Sequence, residues 1–497
     1  MGSSAAPAIA VSISSAFDAG NIVFTSADAS SVRLKVRPDP PTELEKKCHS
    51  QWFYFRASAG QPGVVSYEIS NAGATSYPEG WKALKVCASA DRKVWTRVDT
   101  TNYAADAGAL RWTYDHGGAN PCSVYFAYFD PYDYERHLDL IARCAAAPGS
   151  RVRSLGQTLD GRELDCVEVG DGPKHVWVIH RQHPGESQAS WFAEGLLRRL
   201  LGLDSSAPDG LSVSLRRKFT FHVVPNMNPD GAVRGHLRTN ACGANLNREW
   251  ATTGEYEAPT PRRSPEVFHA LRAMDASGVD AFVDVHGDEA LPVAFIAGAE
   301  GCEVWGPRLK ALQGAFVAAY ARANPDMQAE LGYDPDPPLK ANLAICSNQV
   351  AARFDCLAVT LEMPFKGSNP SNLAALSSGG TFQGPRAAAL GASPLDAPRL
   401  LLDLSGRILE PSLLQAPRSS TRSPTSAPPC AAWPSRPLAR LTPTWRPSRT
   451  LRWWRPSWRR RRPRWRRRGR PLRTPPMPLR PGAAALASPL FEQARSS

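Results

Sequence analysis

The chain has 497 residues, of which 42% are hydrophobic, and this length suffices for about two or three domains with well-buried cores. Its formal net charge is +13, but residues 411–497 contain twenty arginines, no lysine and one acidic residue, so residues 1–410 carry about −6. The basic character therefore belongs to the C-terminal segment alone, and it cannot serve as an argument about the function of the first 410 residues.

Several sequence features that are absent from the chain bear on its cellular compartment. No segment approaches eighteen uninterrupted apolar residues, which excludes a typical transmembrane helix. The N-terminus lacks the charged start and long apolar stretch of a secretory signal, and the ten cysteines form no Cys-x-x-Cys pair. These features favour a reducing compartment, so we expect a cytoplasmic protein.

The first predicted domain, residues 1–130, is dominated by strand patterns. Val32–Arg37 and Val64–Ile69 alternate apolar and polar residues, and turn residues separate such runs. The aromatic run Trp52–Phe55 is more typical of a hydrophobic core than of a ligand cleft. We therefore predict an antiparallel β-sandwich.

In the second predicted domain, residues 131–410, short apolar runs alternate with stretches of helical periodicity. The apolar runs include His175–His180, Ala281–His286 and Leu357–Phe365. The helical stretches include Ser190–Leu201, Pro265–Met274, Gly306–Tyr320 and Leu390–Leu404. Such alternation predicts an α/β domain built on a mixed sheet.

Three residues with metal-binding side chains lie where predicted strands end. His183 precedes Glu186 by three positions and follows the strand that ends at His180, and His286 ends the strand that begins at Ala281. A lone His-x-x-Glu pair is a weak motif, because such pairs arise by chance on solvated surfaces. Open α/β sheets, however, place their ligand sites beyond the carboxyl ends of the strands, which brings both segments to one edge. The three side chains therefore predict a tetrahedral zinc site with one position left for water.

Two further segments contribute groups that a hydrolytic site needs. Asn247 and Arg248 pair an amide with a guanidinium, whose planar fork matches a carboxylate. Glu362 is a single carboxylate in an otherwise apolar strand, where a charge is costly unless it is used or paired. Taken singly, the first pair fits a surface loop and Glu362 fits a paired structural acid. Their occurrence together with the metal motif favours an active site.

Five motifs occur in a fixed order along the second domain. They are His183-Pro-Gly-Glu186, Pro225–Gly231, Arg238–Trp250, Asp284–Glu289 and Leu361–Phe365. In this set and order the sequence resembles the zinc metallocarboxypeptidases, and among them the cytosolic carboxypeptidase branch, which includes tubulin deglutamylases and bacterial relatives. Phe126–Leu138 resembles the junction of a small N-terminal β domain with the catalytic domain, so the resemblance covers roughly residues 10 to 405.

What the resemblance implies for the mechanism agrees with the chemistry of the residues. His183, Glu186 and His286 would hold Zn2+, which activates water and polarises the scissile carbonyl. Glu362 would be the general base, taking a proton from water and returning it to the leaving amine.

The same resemblance assigns the groups that bind substrate. Asn247 and Arg248 would grip the terminal carboxylate, and this grip makes the enzyme an exopeptidase. Arg238 is the best match to the arginine that stabilises the tetrahedral oxyanion, and Arg234 competes with it for that role. The family often places a tyrosine shortly before the catalytic glutamate, and here Tyr333 is the nearest candidate.

The predicted function is a zinc carboxypeptidase that removes C-terminal residues, with glutamate as the expected residue, from acidic peptide or protein tails such as those of tubulin. That preference requires a cation in the side-chain pocket, and nothing in the sequence places Lys340 or Arg353 there. Two alternatives stay open: a carboxypeptidase of another side-chain preference, and a catalytically weak binding protein on the same fold that recruits acidic or nucleic-acid partners. The intact set of ligands, clamp and base favours the enzyme.

The Arg/Pro/Trp-rich tail, residues 411–497, is predicted to be disordered, because proline and like charge at this density cannot build a core. Arginine interleaved with tryptophan, as in residues 452–468, suits contact with nucleic acid, an anionic membrane or an acidic protein tail. The absence of lysine equally favours a C-terminal end translated in the wrong frame or past a missed splice site. The tail is therefore given no part in the predicted function.

Overall fold

The computed structural model describes residues 9–28, 30–42, 48–117, 122–205, 207–252, 258–366 and 383–396. The predicted tail lies outside the described residues, as does the second half of the helix predicted to end at Leu404. Among the helices that are described, none combines the length and apolarity needed to cross a bilayer. The nine cysteines within the described ranges are free.

The described part of the N-terminal domain contains ten strands in two sheets. In chain order they are β1 (Val11–Ser14), β2 (Val23–Asp28), β3 (Ser31–Lys35), β4 (Tyr54–Ala59), β5 (Val64–Ile69), β6 (Cys87–Ser89), β7 (Thr96–Arg97), β8 (Asn102–Ala104), β9 (Ala109–Asp115) and β10 (Ser123–Ala127). The sheet orders are β1-β4-β10-β6-β7 and β2-β3-β5-β9-β8. The described pairs are antiparallel, as predicted, apart from β3 and β5. These two run parallel because the chain between them crosses to the other sheet as β4.

Aromatic side chains fill the space between these sheets. Trp52, Phe53, Tyr54 and Phe55 are each at most 1% exposed, which confirms the prediction that this run is core. Trp112 of β9 stacks on Tyr67 of β5 with ring centroids 5.4 Å apart. Large aromatic rings bury much apolar area for each ordered side chain, so they give a small domain a stable core.

The second domain is built on a seven-stranded mixed sheet. Its strands are β11 (Ser150–Gln157), β12 (Glu163–Val169), β13 (Lys174–His180), β14 (Phe219–Val224), β15 (Ala281–Asp288), β16 (Phe295–Ala297) and β17 (Leu357–Pro364). The order is β11-β12-β14-β13-β15-β17-β16. The four inner strands β14, β13, β15 and β17 run parallel, and the flanking strands pair antiparallel with them. This is the predicted α/β class with a mixed sheet.

Helices and short 3-10 turns connect and flank these strands. The helices are α1 (Tyr134–Ala146), α2 (Ser187–Leu201), α3 (Gly210–Arg216), α4 (Pro229–Arg234), α5 (Pro265–Ser277), α6 (Pro307–Ala323), α7 (Cys346–Phe354) and α8 (Gly384–Ala392). Among the described residues, 3-10 turns occur in the N-terminal domain at Ala72–Ala74, Pro78–Trp81 and Ala105–Ala107, and in the second domain at Leu246–Arg248 and Ser393–Asp396. The helix predicted over Leu390–Leu404 differs from the structure in its described part. Helix α8 begins at Gly384, with Pro385 in a favourable first-turn position, and it ends at Ala392, after which a 3-10 turn follows.

The parallel inner strands determine where the functional residues meet. The chain leaves β13 after His180, and β15 and β17 lie side by side with His286 directly opposite Glu362. The carboxyl ends of parallel strands share one edge of a sheet, so segments far apart in sequence converge there. The five motifs are brought to that edge.

Helix α2 packs on the sheet, and α8 packs on α2, where the two helices approach each other closely at two glycines. A Cβ added at Gly195 would lie 1.8 Å from the carbonyl oxygen of Ala388, and one at Gly391 would lie 2.1 Å from that of Phe192. These contacts involve backbone atoms, which cannot rotate away as a side chain can. The two helices can pack at this distance only with hydrogen atoms at both positions.

We therefore expect Gly195→Ala to lower the free energy of unfolding by about 1–3 kcal/mol, since overpacking forces backbone shifts. Gly210→Ala is the matched control, because an added Cβ there meets nothing within 4 Å. Denaturant unfolding of the two variants and the wild type checks this. Equal stability of the two variants would contradict the close helix contact.

Candidate metal centre and substrate cleft

The turn after β13 is held by a buried arginine. Arg181 has a positive φ of 58°, which is strained for a residue with a side chain. Its guanidinium donates hydrogen bonds to the carbonyl oxygens of Pro184 (2.9 Å) and Tyr132 (2.8 Å). Burial lowers the pKa of Arg181 to about 10, so the group remains a cation at neutral pH. These bonds fix the turn that carries the first two predicted zinc ligands.

The donor atoms of the three predicted zinc ligands converge. His183 Nδ1 lies 2.7 Å from Glu186 Oε1, and His286 Nδ1 lies 2.8 Å from Glu186 Oε2. The two Nδ1 atoms are 3.1 Å apart. Each of the three side chains is buried, and one ligand atom from each lies within 4.8 Å of the others. The structure thus brings together the residues predicted to hold zinc.

The outer nitrogen of each imidazole has its own partner. His183 Nε2 lies 3.1 Å from Asn245 Oδ1, and His286 Nε2 lies 2.9 Å from Asp284 Oδ2. An amide oxygen and a carboxylate accept hydrogen bonds, so the Nε2 atoms carry the protons and the inner Nδ1 atoms present lone pairs. Metal-binding histidines are oriented in this way.

A network behind Asp284 keeps that carboxylate in place. Gln182 Nε2 donates to Asp284 Oδ2 at 2.6 Å, and Trp250 Nε1 donates to Gln182 Oε1 at 2.8 Å. Asn228 Nδ2 also donates to the carbonyl oxygen of Gln182, at 3.0 Å. The orientation of His286 is therefore supported by side chains from three segments of the chain.

The donor set fits a divalent cation. Two lone pairs and a carboxylate facing one point repel one another unless a cation lies among them, and two histidines with one glutamate suit zinc. Burial and the Arg238 guanidinium lower the pKa of His183 to about 3, which keeps it neutral. Burial raises the pKa of Glu186, but the two imidazoles outweigh burial and hold it below the ordinary value. For His286, burial lowers the pKa, yet Asp284 and Glu186 together leave it above the usual range.

Glu362 lies beside this centre, opposite His286 in the sheet. Its Oε2 atom is buried and has no hydrogen-bond partner within the described residues. Burial raises the pKa of Glu362 well above its ordinary value; the carboxylates of Glu186, Asp288 and Glu289 raise it further, and His286 lowers it. A buried carboxyl group with a raised pKa in a cleft is a candidate for proton transfer in a reaction.

Of the two arginines that competed for the oxyanion role, the structure brings Arg238 to the site. Arg238 lines the cleft, and its Nη1 atom is 3.5 Å from His183 Nδ1. Arg234 instead forms an exposed ion pair with Asp160, at 2.7 Å. Tyr333 also reaches the cleft, where its hydroxyl donates to Asp288 Oδ2 at 2.6 Å.

Asn247 and Arg248 also line the cleft, and both belong to the 3-10 turn Leu246–Arg248. Asn247 Oδ1 accepts a hydrogen bond of 2.8 Å from the backbone N–H of Cys346, and Arg248 Nη1 donates to the carbonyl oxygen of Asn247 at 2.7 Å. The first bond joins this 3-10 turn to the start of α7. The predicted clamp residues therefore line the same cleft as Glu362.

The cleft has a volume of about 430 Å3 and an acidic lining. Its described lining includes two basic side chains, Arg238 and Arg248, and seven acidic ones: Glu186, Asp288, Glu289, Glu300, Asp334, Asp336 and Glu362. Neither Lys340 nor Arg353 belongs to that lining. Arg353 pairs with Asp275 on the surface, at 2.6 Å.

Sequence reasoning missed some members of the site. Asn245 stands two positions before the predicted clamp, in a motif that was noted without a role for it. Glu289 closes another noted motif, and burial raises its pKa well above the ordinary value. Asp39 of the N-terminal domain contacts the Arg238 segment, and its setting between two prolines gives no signal of that contact.

Comparison with known families and structures agrees with this geometry. Residues 13–129 match the cytosolic carboxypeptidase N-terminal domain, and residues 138–303 match the zinc carboxypeptidase family. A metallo-carboxypeptidase from Burkholderia cenocepacia is 40% identical, with a TM-score of 0.71 over 79% of this chain and 100% of that one. A Pseudomonas aeruginosa metallo-carboxypeptidase, solved in complex with (2-guanidinoethylmercapto)succinic acid, is 36% identical, with a TM-score of 0.69 over 79% of this chain and 99% of that one.

The animal cytosolic carboxypeptidases are more distant and much longer. Cytosolic carboxypeptidase 3 of Bos taurus is 28% identical over 307 residues, which are 56% of this chain and 29% of that protein. The match therefore concerns a part of that relative. Taken with the two domain matches and the bacterial structures, it shows that this chain belongs to the zinc carboxypeptidases and carries the N-terminal domain of their cytosolic branch.

Proposed function

We propose that this protein hydrolyses the last peptide bond of peptides or protein tails, with His183, Glu186 and His286 holding zinc and Glu362 acting as the base. The convergence of two imidazole Nδ1 atoms and one carboxylate, with Glu362 opposite His286, carries the proposal. When bound, zinc supplies a Lewis acid that polarises the scissile carbonyl and acidifies water.

Glu362 moves the proton. Its unpartnered Oε2 atom accepts a proton from water, whose oxygen adds to the carbonyl carbon of the scissile bond. When the carbon–nitrogen bond breaks, Glu362 returns that proton to the leaving amine. A pKa raised by burial suits both transfers, since the group must gain and lose a proton in each cycle.

The arginines provide the complementary charges. Arg238 lies next to His183 and would stabilise the negative oxygen that develops on the carbonyl. Asn247 and Arg248, which line the same cleft as the metal centre, would bind the terminal carboxylate, and this grip on the chain end would restrict cleavage to the last residue. Because ligands, base and clamp are all present, the alternative of a catalytically weak binding protein has no support in the site.

The preference for glutamate remains a prediction, as do tubulin as the substrate and the cytoplasm as the location. The two basic residues of the described lining are already needed for the oxyanion and the terminal carboxylate, which leaves the side chain of a terminal glutamate without a partner there.

The acidic lining favours the other carboxypeptidase candidate, one that prefers a basic terminal residue. On β17, Thr360 and Glu362 point to the same face of the sheet, and Ala297 of β16 lies opposite Thr360. Glu300 and Asp336 line the same cleft as these residues. The guanidino group in the ligand of the Pseudomonas aeruginosa relative is in keeping with this candidate.

Replacing the base is the first test. We expect Glu362→Gln to lower kcat of peptide hydrolysis by about 10²- to 10⁴-fold, because an amide cannot accept the proton. Zinc content should stay equal to that of the wild type. Glu266→Gln is the control, since Glu266 is also a buried glutamate with a pKa raised by burial, to about 8, but lies outside the cleft. Retention of activity by Glu362→Gln would refute the proposed mechanism.

Removing the clamp tests the exopeptidase assignment. We expect Arg248→Ala to lower kcat/KM for a peptide with a free C-terminus by about 10- to 150-fold, the value of a hydrogen bond to a charged group. The same peptide with an amidated C-terminus should be a poor substrate for both enzymes. Arg353→Ala, which removes an exposed arginine outside the cleft, should behave as the wild type. A wild type that cleaves both peptides equally would contradict the clamp.

A panel of peptides that differ only in the last residue separates the two preferences. We expect kcat/KM to be at least about tenfold higher for arginine than for glutamate, because like charges within a few ångströms repel by about 1–4 kcal/mol. Glu300→Gln should narrow this ratio. A higher rate for glutamate would instead support the deglutamylase prediction and reject the basic preference.

A further inference from the structure

A single carboxylate of the N-terminal domain binds the backbone of the segment that carries Arg238. Asp39 is 3% exposed. Its Oδ1 accepts from the backbone N–H of Leu237 (2.7 Å), and its Oδ2 accepts from those of Arg238 (2.8 Å) and Thr239 (3.0 Å). The Thr239 hydroxyl donates a fourth bond, at 3.1 Å, to Oδ2. Three consecutive peptide groups thus point at one side chain.

The other side of this segment contacts the metal-ligand turn. The backbone N–H of Gly185 donates to the carbonyl oxygen of Leu237 at 2.8 Å. A Cβ at Gly185 would lie 2.9 Å from that oxygen, so the two segments are in close contact. Leu237 to Thr239 therefore lie between Asp39 of one domain and the turn carrying His183 and Glu186 of the other.

This segment has little regular structure of its own. The residues from 235 to 245 form neither helix nor strand. The position of a side chain on such a segment depends on the bonds that hold its backbone. Asp39 accepts hydrogen bonds from three consecutive backbone N–H groups, so it restrains this backbone directly at Arg238.

We propose that Asp39 is a positioning residue for Arg238, through which the N-terminal domain supplies part of the geometry of the active site. The inference rests on the oxyanion role proposed for Arg238. Asp39 does not touch substrate; it holds the Arg238 backbone so that the guanidinium remains beside His183, where its Nη1 atom lies 3.5 Å from Nδ1. An oxyanion donor displaced by about 1 Å can cost about 10²-fold in rate.

The test uses the full-length protein and four variants: Asp39→Asn, Arg238→Ala, the double variant and Thr239→Val. Asp39→Asn keeps the shape of the side chain but turns an NH2 group toward backbone N–H donors. We expect it to lower kcat by about 10- to 100-fold and to change KM by less than about threefold, since the interaction lost is made in the transition state. In the Arg238→Ala variant, Asp39→Asn should lower kcat by less than about threefold, because the guanidinium that Asp39 positions is already absent.

Thr239→Val removes one of the four bonds and keeps the volume of the side chain. If Asp39→Asn does not fold, Thr239→Val replaces it in the test. Thr239→Val should lower kcat by about 2- to 5-fold in the protein that retains Arg238, and it should leave kcat unchanged in the Arg238→Ala variant. Zinc content and Tm of each variant should be measured alongside.

Asn21→Ala is the matched control. Asn21 is also buried in the N-terminal domain and donates to the carbonyl oxygen of Gly235 at 2.7 Å, three residues from Arg238. We expect its kcat to stay within about threefold of the wild type. Asp39→Asn effects that are equal in both Arg238 backgrounds, that follow a loss of zinc, or that Asn21→Ala reproduces would overturn the proposal. An Arg238→Ala variant as active as the wild type would refute the role of Arg238 itself, which is a separate failure.

Discussion

The Glu186 carboxylate is the group on which the site depends. One oxygen contacts His183 and the other contacts His286, and the second oxygen also accepts a hydrogen bond of 3.0 Å from the backbone N–H of Gly287. That bond ties the turn after β13 to the end of β15. The desolvation of a buried carboxylate is costly, so the fold must provide compensating partners on every side, and a divalent cation is the strongest of them. The parallel strands therefore bring His183, His286 and Gly287 to the buried Glu186 carboxylate, and a bound cation would complete its set of partners.

The N-terminal domain belongs to this arrangement, because it binds the catalytic domain at points next to the cleft. Asn21 and Asp39 bind the segment from Gly235 to Thr239, and Arg97 donates to the carbonyl oxygen of Phe365, which follows the catalytic strand β17. Backbone groups of irregular segments need partners, and here another domain provides them. This explains why the sandwich precedes the catalytic domain without contributing an established reacting group of its own.

Much of the fold and of the candidate site could be predicted from local sequence patterns. The rest depends on contacts between residues that are far apart in the sequence. The strands near His183 and His286 have a clear apolar pattern, and the carboxyl ends of parallel strands share one edge of a sheet, so the candidate metal centre followed from local patterns. The parallel pairing of β3 with β5 did not, because alternation identifies a strand but not its neighbour. Asp39 could not be assigned, since its partners lie about two hundred positions away. Arg238 and Arg234 look alike in sequence, and the ion pair of Arg234 with Asp160 separates them.

The charges of the cleft extend this argument to the substrate. The sequence suggested an acidic substrate by resemblance, yet seven carboxyl groups and two guanidinium groups line the described cleft. Two of those carboxyl groups, Glu186 and Glu362, are accounted for by the proposed metal and by proton transfer, and Asp288 accepts a hydrogen bond from Tyr333. Glu289 is buried, and burial raises its pKa well above the ordinary value. The remaining three, Glu300, Asp334 and Asp336, have no such role in the reaction. Their negative potential repels a terminal carboxylate side chain and attracts a basic one, while the main-chain carboxylate of either substrate still meets Arg248. The distribution of charge therefore separates recognition of the chain end, which is common to all substrates, from recognition of its last side chain.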